Sequence, residues 1–536
     1  MSTGSNAISR KPQAGAGSAA PAADADRIDP RRLIAFMSMA VGMFMALLDI
    51  QVVSASLSEI QAGLSASTDE MSWVQTAYLI AEVVMIPLSG YLAQAISTRW
   101  LFAISAGGFT ITSLFCGLSS GINEMIFWRA LQGFLGGAMI PSVFSAAYSI
   151  FPRSKQGIIA PIVGLIATLA PTIGPTVGGY LTEWQSWHWL FFINILPGIF
   201  VTVAAIALID FDEPDLSLLA KFDWFGLAAL ALFLCSLEYV LEEGARNDWF
   251  EDESIRIFAV ATVIGGILFF WRALTRDVPI VNMSAFKDRN FAVGCLFTFT
   301  LGIGLYGLTY IYPLFLGHVR GYNSLEIGQT MFLSGACMFV TAPIAGRLAQ
   351  RVDPRIMMSA GFVGFAIGCW IMTKVTADWD FWELAWPQVF RGVSLMFCMI
   401  PINNVALGTL PPNRLKSASG LFNLMRNLGG AVGLAAINTF INNRWDLHIE
   451  RLHEALDQSN AVANDWLADM TQRFSDQGTE AATMALRQLA TVARGQAYVM
   501  ALADIFVLLA VTFMLLIPLA PLLRRPRAGG GGGGAH

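Results

Sequence analysis

Fourteen apolar stretches of about 20 residues succeed one another along this chain, and nothing else in it constrains the fold as tightly. A helix of that length crosses the roughly 30 Å hydrocarbon core of a bilayer and satisfies its own backbone N–H and C=O groups without water. The stretches lie near 33–54, 71–93, 100–119, 125–148, 157–180, 189–209, 224–242 and 256–273, then near 291–313, 327–349, 356–374, 384–408, 418–440 and 498–522. Only 13% of the 536 residues are charged, against about 25% in an ordinary soluble domain, so the chain could not cover a water-facing surface of its size. The expected fold class is an all-α integral membrane protein. A net charge of −5 with no concentrated basic face excludes a nucleic-acid binder.

Loop charges test the span count independently, because cytoplasmic loops are enriched in Lys and Arg. Alternate loops carry Arg31 and Arg32, Arg99, Arg153 and Lys155, Lys221, Arg272, Arg276, Lys287 and Arg289, then Arg347, Arg351 and Arg355, Arg414 and Lys416, and Arg524, Arg525 and Arg527. The intervening loops are short or acidic, as in LEEGARNDWFEDES from Leu241 to Ser254. Both termini are thereby placed in the cytoplasm. Residues 1–30, rich in Ala, Gly, Ser and Pro, lack the apolar core of a cleaved signal peptide and read as a disordered tail. The six cysteines lie in apolar segments with no CxxC spacing, so they read as small buried hydrophobes.

One segment breaks the rhythm. Residues 441–497 are polar and lie on the outer side between the last two spans, and a loop that long usually has structure or function of its own. Trp445, Ile449, Leu452 and Leu456 recur at helical spacing within it, consistent either with interface or capping helices or with a docking surface for another subunit. His448 and His453, five apart, do not share a face, and no metal site is expected.

PLSGYLAQAISTR, from Pro87 to Arg99, returns as PIAGRLAQRVDPR, from Pro343 to Arg355, each where an outside-to-inside helix enters a cytoplasmic loop. Equivalent places eight helices apart imply a parallel duplication, an architecture that secondary transporters use. The expected division is a tail at 1–30, a six-helix bundle at 31–210, two inserted helices at 211–280, a second six-helix bundle at 281–522 that includes the periplasmic segment 441–497, and a tail at 523–536.

A charge inside a span costs at least a few kcal/mol and needs a partner, a water path or a function. Asp49 in span one and Arg129 in span four stand at comparable depth, and Glu82 lies near the middle of span two. Either Asp49 takes a proton from outside and releases it inside as Arg129 approaches, or the two form a permanent structural pair. Glu82 is a second candidate for proton coupling or for recognising a cation. Glu238 in span seven is a weaker candidate for substrate contact, and Arg391, Asn423 and Arg426 are the polar residues of the second half, the arginines read as helix-packing partners. Trp187, Trp189, Tyr306, Tyr310, Tyr312 and Trp386 default to interface anchors, although Tyr306 and Tyr310, four apart, could share a cavity face. The runs RALQGFLGGAMIP (Arg129 to Pro141, with Gln132 and Gly133) and APTIGPTVGGY (Ala170 to Tyr180) permit close helix contact and a bend at Pro171 and Pro175. Neither joins a strand to a helix, and no GxxxxGK[ST] is present, so neither a phosphate loop nor ATP drive is expected.

These stretches, with FMALLDIQVV, MSWVQTAYLIAEVVMIPLSGYLA, WHWLFFINILPG, PIVNMSAFKDRNFAVGCL, WPQVFRG and LPPNRLKSASGLFNLMRNLGGAVG, resemble the motifs of the major facilitator superfamily, and within it the fourteen-helix drug:proton antiporters of EmrB type. The glycine run before Ala535 and His536, otherwise a linker or an expression remnant, looks like the tail of such proteins. The resemblance implies a major facilitator fold of 14 transmembrane helices, two pseudo-symmetric six-helix bundles plus two more. It implies that Asp49 matches the span-one coupling acid, Arg129 and Gly133 the span-four coupling motif, and Gly174, Pro175, Gly178 and Gly179 the span-five antiporter motif. Gly90 to Arg99 matches the cytoplasmic gating motif GxLaDrxGrr, but Gln94 replaces its acid and Ser97 its second glycine, leaving the family's salt-bridge gate without its usual acid. His188 stands where the family commonly has an arginine.

The function implied is proton-coupled export of hydrophobic or amphiphilic drugs across a bacterial inner membrane, with no cofactor beyond the proton gradient. By the same likeness a periplasmic membrane-fusion adaptor and an outer-membrane channel are the expected partners, with 441–497 the natural contact. The rivals are a carrier for a specific metabolite, which would show more hydrogen-bonding groups in its cavity, and a channel or structural component.

Overall fold

The computed structural model describes residues 29–523 apart from 153–154, 277, 457–459 and 476–479. Most of the two expected tails, 1–28 and 524–536, thus lies outside the described residues. Among the described residues every regular element is a helix. The first bundle holds α1 (Pro30–Ala55), α2 (Leu57–Leu64), α3 (Thr68–Ala95), α4 (Ser97–Leu118), α5 (Ile122–Gly136), α6 (Met139–Ser149), α7 (Gln156–Trp184), α8 (Trp189–Phe192) and α9 (Ile195–Leu208). A short α10 (Ser217–Ala220) leads to the inserted pair α11 (Trp224–Glu243) and α12 (Glu253–Thr275). The second bundle holds α13 (Arg289–His318), α14 (Ser324–Leu348), α15 (Pro354–Met372), α16 (Phe381–Ala406), α17 (Pro412–Ala455), α18 (Ala461–Arg473) and α19 (Ala481–Leu516). We call the side on which α1 begins the near face and the opposite side the far face.

Side-chain caps fix where these helices start. Ser67 and Glu70 form a capping box at α3, as do Asn323 and Glu326 at α14 and Asp380 and Glu383 at α16, each satisfying N–H groups that the first turn leaves orphaned. All three boxes sit at the far face. Span four is two helices, α5 and α6, parted at Gly137 and Ala138, and span six is the short α8 followed by α9.

Thirteen spans are long and apolar enough to cross a membrane among the described residues. The fourteenth runs through α17, whose apolarity is diluted by Asn423, Arg426, Asn427 and Asn438. These polar groups are affordable because they do not meet lipid: Asn423 and Arg426 are fully buried, and α17 packs along α13, α3 and α19. By contrast α12 turns Ile257, Val260, Val263, Ile267 and Leu274 outward, as a lipid-facing helix should.

Two bundles meet along matching seams. α14 lies on α7 and α17 lies on α3, so both copies of the repeated sequence, which end α3 and α14, occupy seams between the bundles. α11 packs on α12 and touches both α3 and α17. It therefore fills the gap between the bundles on that side.

Residues 441–497 do not form a separate loop domain. α17 continues unbroken for 44 residues to Ala455 and α19 begins at Ala481, so span thirteen and the amphipathic segment after it are one helix of about 66 Å at 1.5 Å per residue. Its outer part leans on α19: Trp445 donates from Nε1 to the Arg494 carbonyl at 3.2 Å, and the buried His448 lies 3.0 Å from Asp504 through Nε2. The two helices rise together as an arm on the far face, with α18 packed on α19. Trp187 and Tyr312 also depart from expectation, being buried rather than interfacial. Trp187 stacks on His188 with centroids 3.7 Å apart, and Tyr312 packs edge-on to Phe506 beneath Arg391.

Glycine lets two helices of the first bundle meet backbone to backbone. A Cβ on Gly133 would stand 2.2 Å from the Tyr78 carbonyl oxygen, so α5 rests directly on α3. Gly133→Val should therefore destabilise the protein by about 1–3 kcal/mol, read as a lower melting temperature in detergent; an unchanged melting temperature would place the two helices farther apart than this.

Candidate functional site

Two polar centres lie inside the first bundle and at its seam, and they differ in access to water. The first surrounds Asp49 on α1, 1% exposed. Arg129 on α5 donates through Nη1 to Asp49 Oδ2 at 2.6 Å and to Gln132 Oε1 at 2.8 Å, while its Nε donates to the Val74 carbonyl at 3.3 Å. Gln132 Nε2 donates to Asp49 Oδ1 at 3.3 Å. Asn194 Nδ2 donates to the same oxygen at 2.7 Å and to Ser113 Oγ at 3.1 Å. The Tyr78 ring lies 4.2 Å from the guanidinium carbon. Asp49 is thus held by three side-chain donors, which offset the cost of a charge in an apolar layer. The sequence had singled out Asp49, Arg129 and Gln132 but not Asn194, which sits in the quoted run WHWLFFINILPG at the break between α8 and α9.

The second centre faces a cavity of about 590 Å³ in the far half of the seam, walled by α1, α3, α7, α11, α13 and α17. That volume suits a drug-sized ligand. Glu82, Glu238, Tyr306, Tyr310 and Pro175 all line it. Glu82 is 1% exposed, and its Oε1 has no hydrogen-bond partner. Arg426, fully buried on α17, interacts electrostatically with Glu82 and Tyr306 and stacks over Phe144 of the first bundle at 5.4 Å. Its guanidinium thus meets Tyr306 of its own bundle as well as Glu82 and Phe144 of the other, so it is a charge on the seam between bundles. Arg391 does act within its own bundle, donating to Thr309 Oγ1 and lying over the Tyr312 ring. Asn423 donates to the Ser419 carbonyl one turn back at 2.8 Å.

The span-five glycines press α7 onto α1. Gly174 abuts Gln51 and Gly178 abuts Val52, while buried Gly179 offers its carbonyl to Thr182.

At the near face the seam is shut. Gly90 on α3 lies against the backbone of Lys416 and Ser417 on α17, where a Cβ would stand 2.7 Å from the Lys416 carbonyl oxygen. Gln94, standing where an acid was expected, donates to the Gly90 carbonyl at 2.9 Å and to Ser417 Oγ at 3.3 Å. The ionic partner comes from elsewhere: Asp212, in the loop after α9, pairs with Lys416. Its carboxylate also accepts from Thr98 Oγ1 at 2.9 Å and Thr98 N at 3.1 Å, and Lys416 Nζ donates to the Ala93 carbonyl at 2.9 Å. Ser97, in place of the expected glycine, takes the left-handed backbone at φ 74°, a strained conformation for a residue with a side chain. Arg99 stays outside this latch, its buried Nε without a hydrogen-bond partner.

Removing one member of a buried ion pair leaves the other unmatched, at a cost of about 3–5 kcal/mol. Arg129→Met should therefore lower stability by that order, and adding Asp49→Asn should recover much of it, measured by thermal unfolding of all three proteins in detergent. Additive losses in the double variant would show that the two side chains are not paired.

The sequence profile of the Major Facilitator Superfamily matches residues 39–434. The colistin resistance protein EmrB of Acinetobacter baumannii is 41% identical over 476 residues, 89% of this chain and 93% of that protein. The multidrug export protein EmrB of Escherichia coli K12 is 31% identical over 507 residues, 94% of this chain and 98% of that protein. Among solved structures, the crystal structure of the human organic anion transporter MFSD10 covers 90% of this chain with a TM-score of 0.56 at 12% identity, a likeness of fold alone. With its helices in two bundles and an inserted pair, the chain belongs to the major facilitator superfamily and, within it, to the family of the EmrB proteins.

Proposed function

We propose that this chain is a proton-driven exporter of hydrophobic or amphiphilic compounds, with its near face in the cytoplasm of a bacterial inner membrane. The observation that carries the reading is the contrast between the two carboxylates. Asp49 is sealed by three donors, whereas Glu82 is buried, unmatched at Oε1 and on the wall of a drug-sized cavity. In this state protons from the far side reach Glu82 through the cavity, while none reaches Asp49 without rearrangement of its partners. The relatives' names, one for multidrug export and one for colistin resistance, support the substrate class, and the Lys and Arg of the near-face loops support the orientation.

Coupling follows from charge cost. An ionised Glu82 is held on the seam by Arg426 across from it; a protonated Glu82 loses that attraction, so proton entry from the far side favours separation of what the pair holds together. The bundles then rock about the cavity. Opening to the cytoplasm requires the latch of Asp212 with Lys416 and of Gln94 with Ser417 to part, and substrate enters from that side. No cofactor is invoked, since the proton gradient supplies the energy. The arm of α17 and α19 offers a far-face surface for a periplasmic adaptor, through which an outer-membrane channel would complete the route.

Two outcomes test this reading. In reconstituted vesicles an imposed proton gradient should drive efflux of a hydrophobic dye, and Glu82→Gln should reduce the driven rate at least about tenfold; full proton-driven export by that variant would refute the role of Glu82. With the native cysteines replaced and one cysteine at Ser89, behind the latch, Lys416→Ala should raise maleimide labelling from the near side several-fold. Unchanged labelling would mean that the Asp212–Lys416 pair does not hold the near face shut.

A further inference from the structure

The wall that α11 gives the cavity carries more carboxyl groups than proton coupling through Glu82 requires. Glu238, Glu242 and Glu243 all come from this helix, and Arg246 is the only arginine or lysine among the described lining residues. Glu243 is already engaged: Arg246 lies 3.8 Å away and Thr76 Oγ1 donates to it at 3.2 Å. Glu238 and Glu242 are not. Among the described residues neither has a hydrogen-bond or cationic partner; Glu242 and Glu82 act electrostatically on Glu238, and Glu243 acts on Glu242. Two carboxylates four apart on one helix repel, and Glu238 is only 5% exposed. Carboxyl groups gathered in this way, with the unpartnered Oε1 of Glu82 on the same cavity, are costly to ionise while the cavity is empty and are matched when a positive charge lies among them.

The remainder of the wall defines what carries that charge. Tyr306 and Tyr310 line the cavity from α13, and Tyr306 sends its hydroxyl to Asn427 Oδ1 at 3.3 Å. Aromatic faces beside carboxylates attract a weakly hydrated cation such as a quaternary ammonium or phosphonium. Leu57, Leu79, Val83, Leu241 and Leu434 supply apolar surface for the body of the ligand. A small inorganic cation would leave that surface and most of the volume unused. α11 is also fixed in place on both sides: Trp73 of α3 stacks on Tyr239 at 5.6 Å, and Trp249, just beyond the helix, donates to Thr439 Oγ1 of α17 at 2.9 Å.

We propose that Glu238 and Glu242 of α11, with the rings of Tyr306 and Tyr310, form a recognition site for the head group of a lipophilic organic cation, so that a helix outside both bundles sets the charge selectivity of the cavity. This rests on the cavity being the substrate site of an exporter, and it adds both the ligand's charge and the helix that reads it.

Tetraphenylphosphonium and tetraphenylborate match in shape and apolar surface and differ in the sign of their charge. Equilibrium dialysis of the purified full-length protein in detergent should show the phosphonium bound at least about tenfold more tightly, a difference of roughly 1.4 kcal/mol. The variant E238Q/E242Q should lose most of that preference, whereas Glu243→Gln, whose carboxylate is already engaged, should lose much less. Equal binding of the two ions by the wild-type protein would overturn the proposal whether or not the variants fold. So would a folded double variant that keeps the preference, or one in which both ions weaken equally, which would mark α11 as a structural wall. Proton-driven efflux of a neutral dye by wild-type vesicles tests the exporter reading separately: its absence would defeat that reading, while the dialysis alone decides the charge selectivity of the site.

Discussion

The energetic constraint on which the structure depends is the cost of placing charge in an apolar layer, about 2.5–3.5 kcal/mol for each ionised side chain at the centre of a helix even on the lenient scale. The protein resolves it in two opposite ways. Around Asp49 it supplies Arg129 and Gln132 from α5 and Asn194 from the break between α8 and α9, so the charge is matched and the first bundle is tied together through it. Around Glu82 and Glu238 it leaves the match incomplete and puts the carboxylates on a cavity. A fully satisfied network is a structural asset, while an incompletely satisfied one stores a response to whatever neutralises it, whether a proton or a cationic ligand.

The near-face latch follows the same logic at lower cost. The expected acid of the gating sequence is Gln94, yet an ionic clasp still forms between bundles because Asp212 reaches the same place from the loop after α9. Gln94 keeps the polar contact to the start of α17 without charge. The exchange moves the charge from a helix of the bundle to the linker that leads into α10 and α11, whose residues also bind the end of α3 through the hydrogen bond of Tyr91 to the Leu218 carbonyl. The linker to the inserted pair is thus attached at the latch, and α11 itself walls the cavity that the latch closes off. Near-face closure and the shape of the far-face cavity share one covalent segment.

What could be read from the sequence was set by how local the physics is. Spans were legible because twenty apolar residues need no partner to declare themselves, and the buried charges were legible because they interrupt such runs. α17 was the limiting case: its membrane-crossing part is diluted by Asn423, Arg426 and Asn427, and its polar continuation looks like any amphipathic helix, so its unbroken length emerges only from packing on α19. Asn194 was hidden because one amide in an apolar run carries no sign of which carboxylate it meets 145 residues away. The clasp of Asp212 with Lys416, 204 residues apart, was equally invisible. The departure at Ser97 was plain in the sequence, but only the backbone shows that this residue adopts the left-handed conformation for which glycine is suited.

The central claim is that movement of substrate outward and of protons inward occurs through one cavity, with Glu82 as the group that both influence. The measurement that tests it most directly records both fluxes at once in vesicles without a pre-formed proton gradient, using a pH dye trapped inside and a fluorescent substrate. A substrate gradient imposed across wild-type vesicles should drive protons in the opposite direction, with the proton movement ceasing as the substrate gradient runs down. Substrate that equilibrates without any counter-movement of protons would contradict the account.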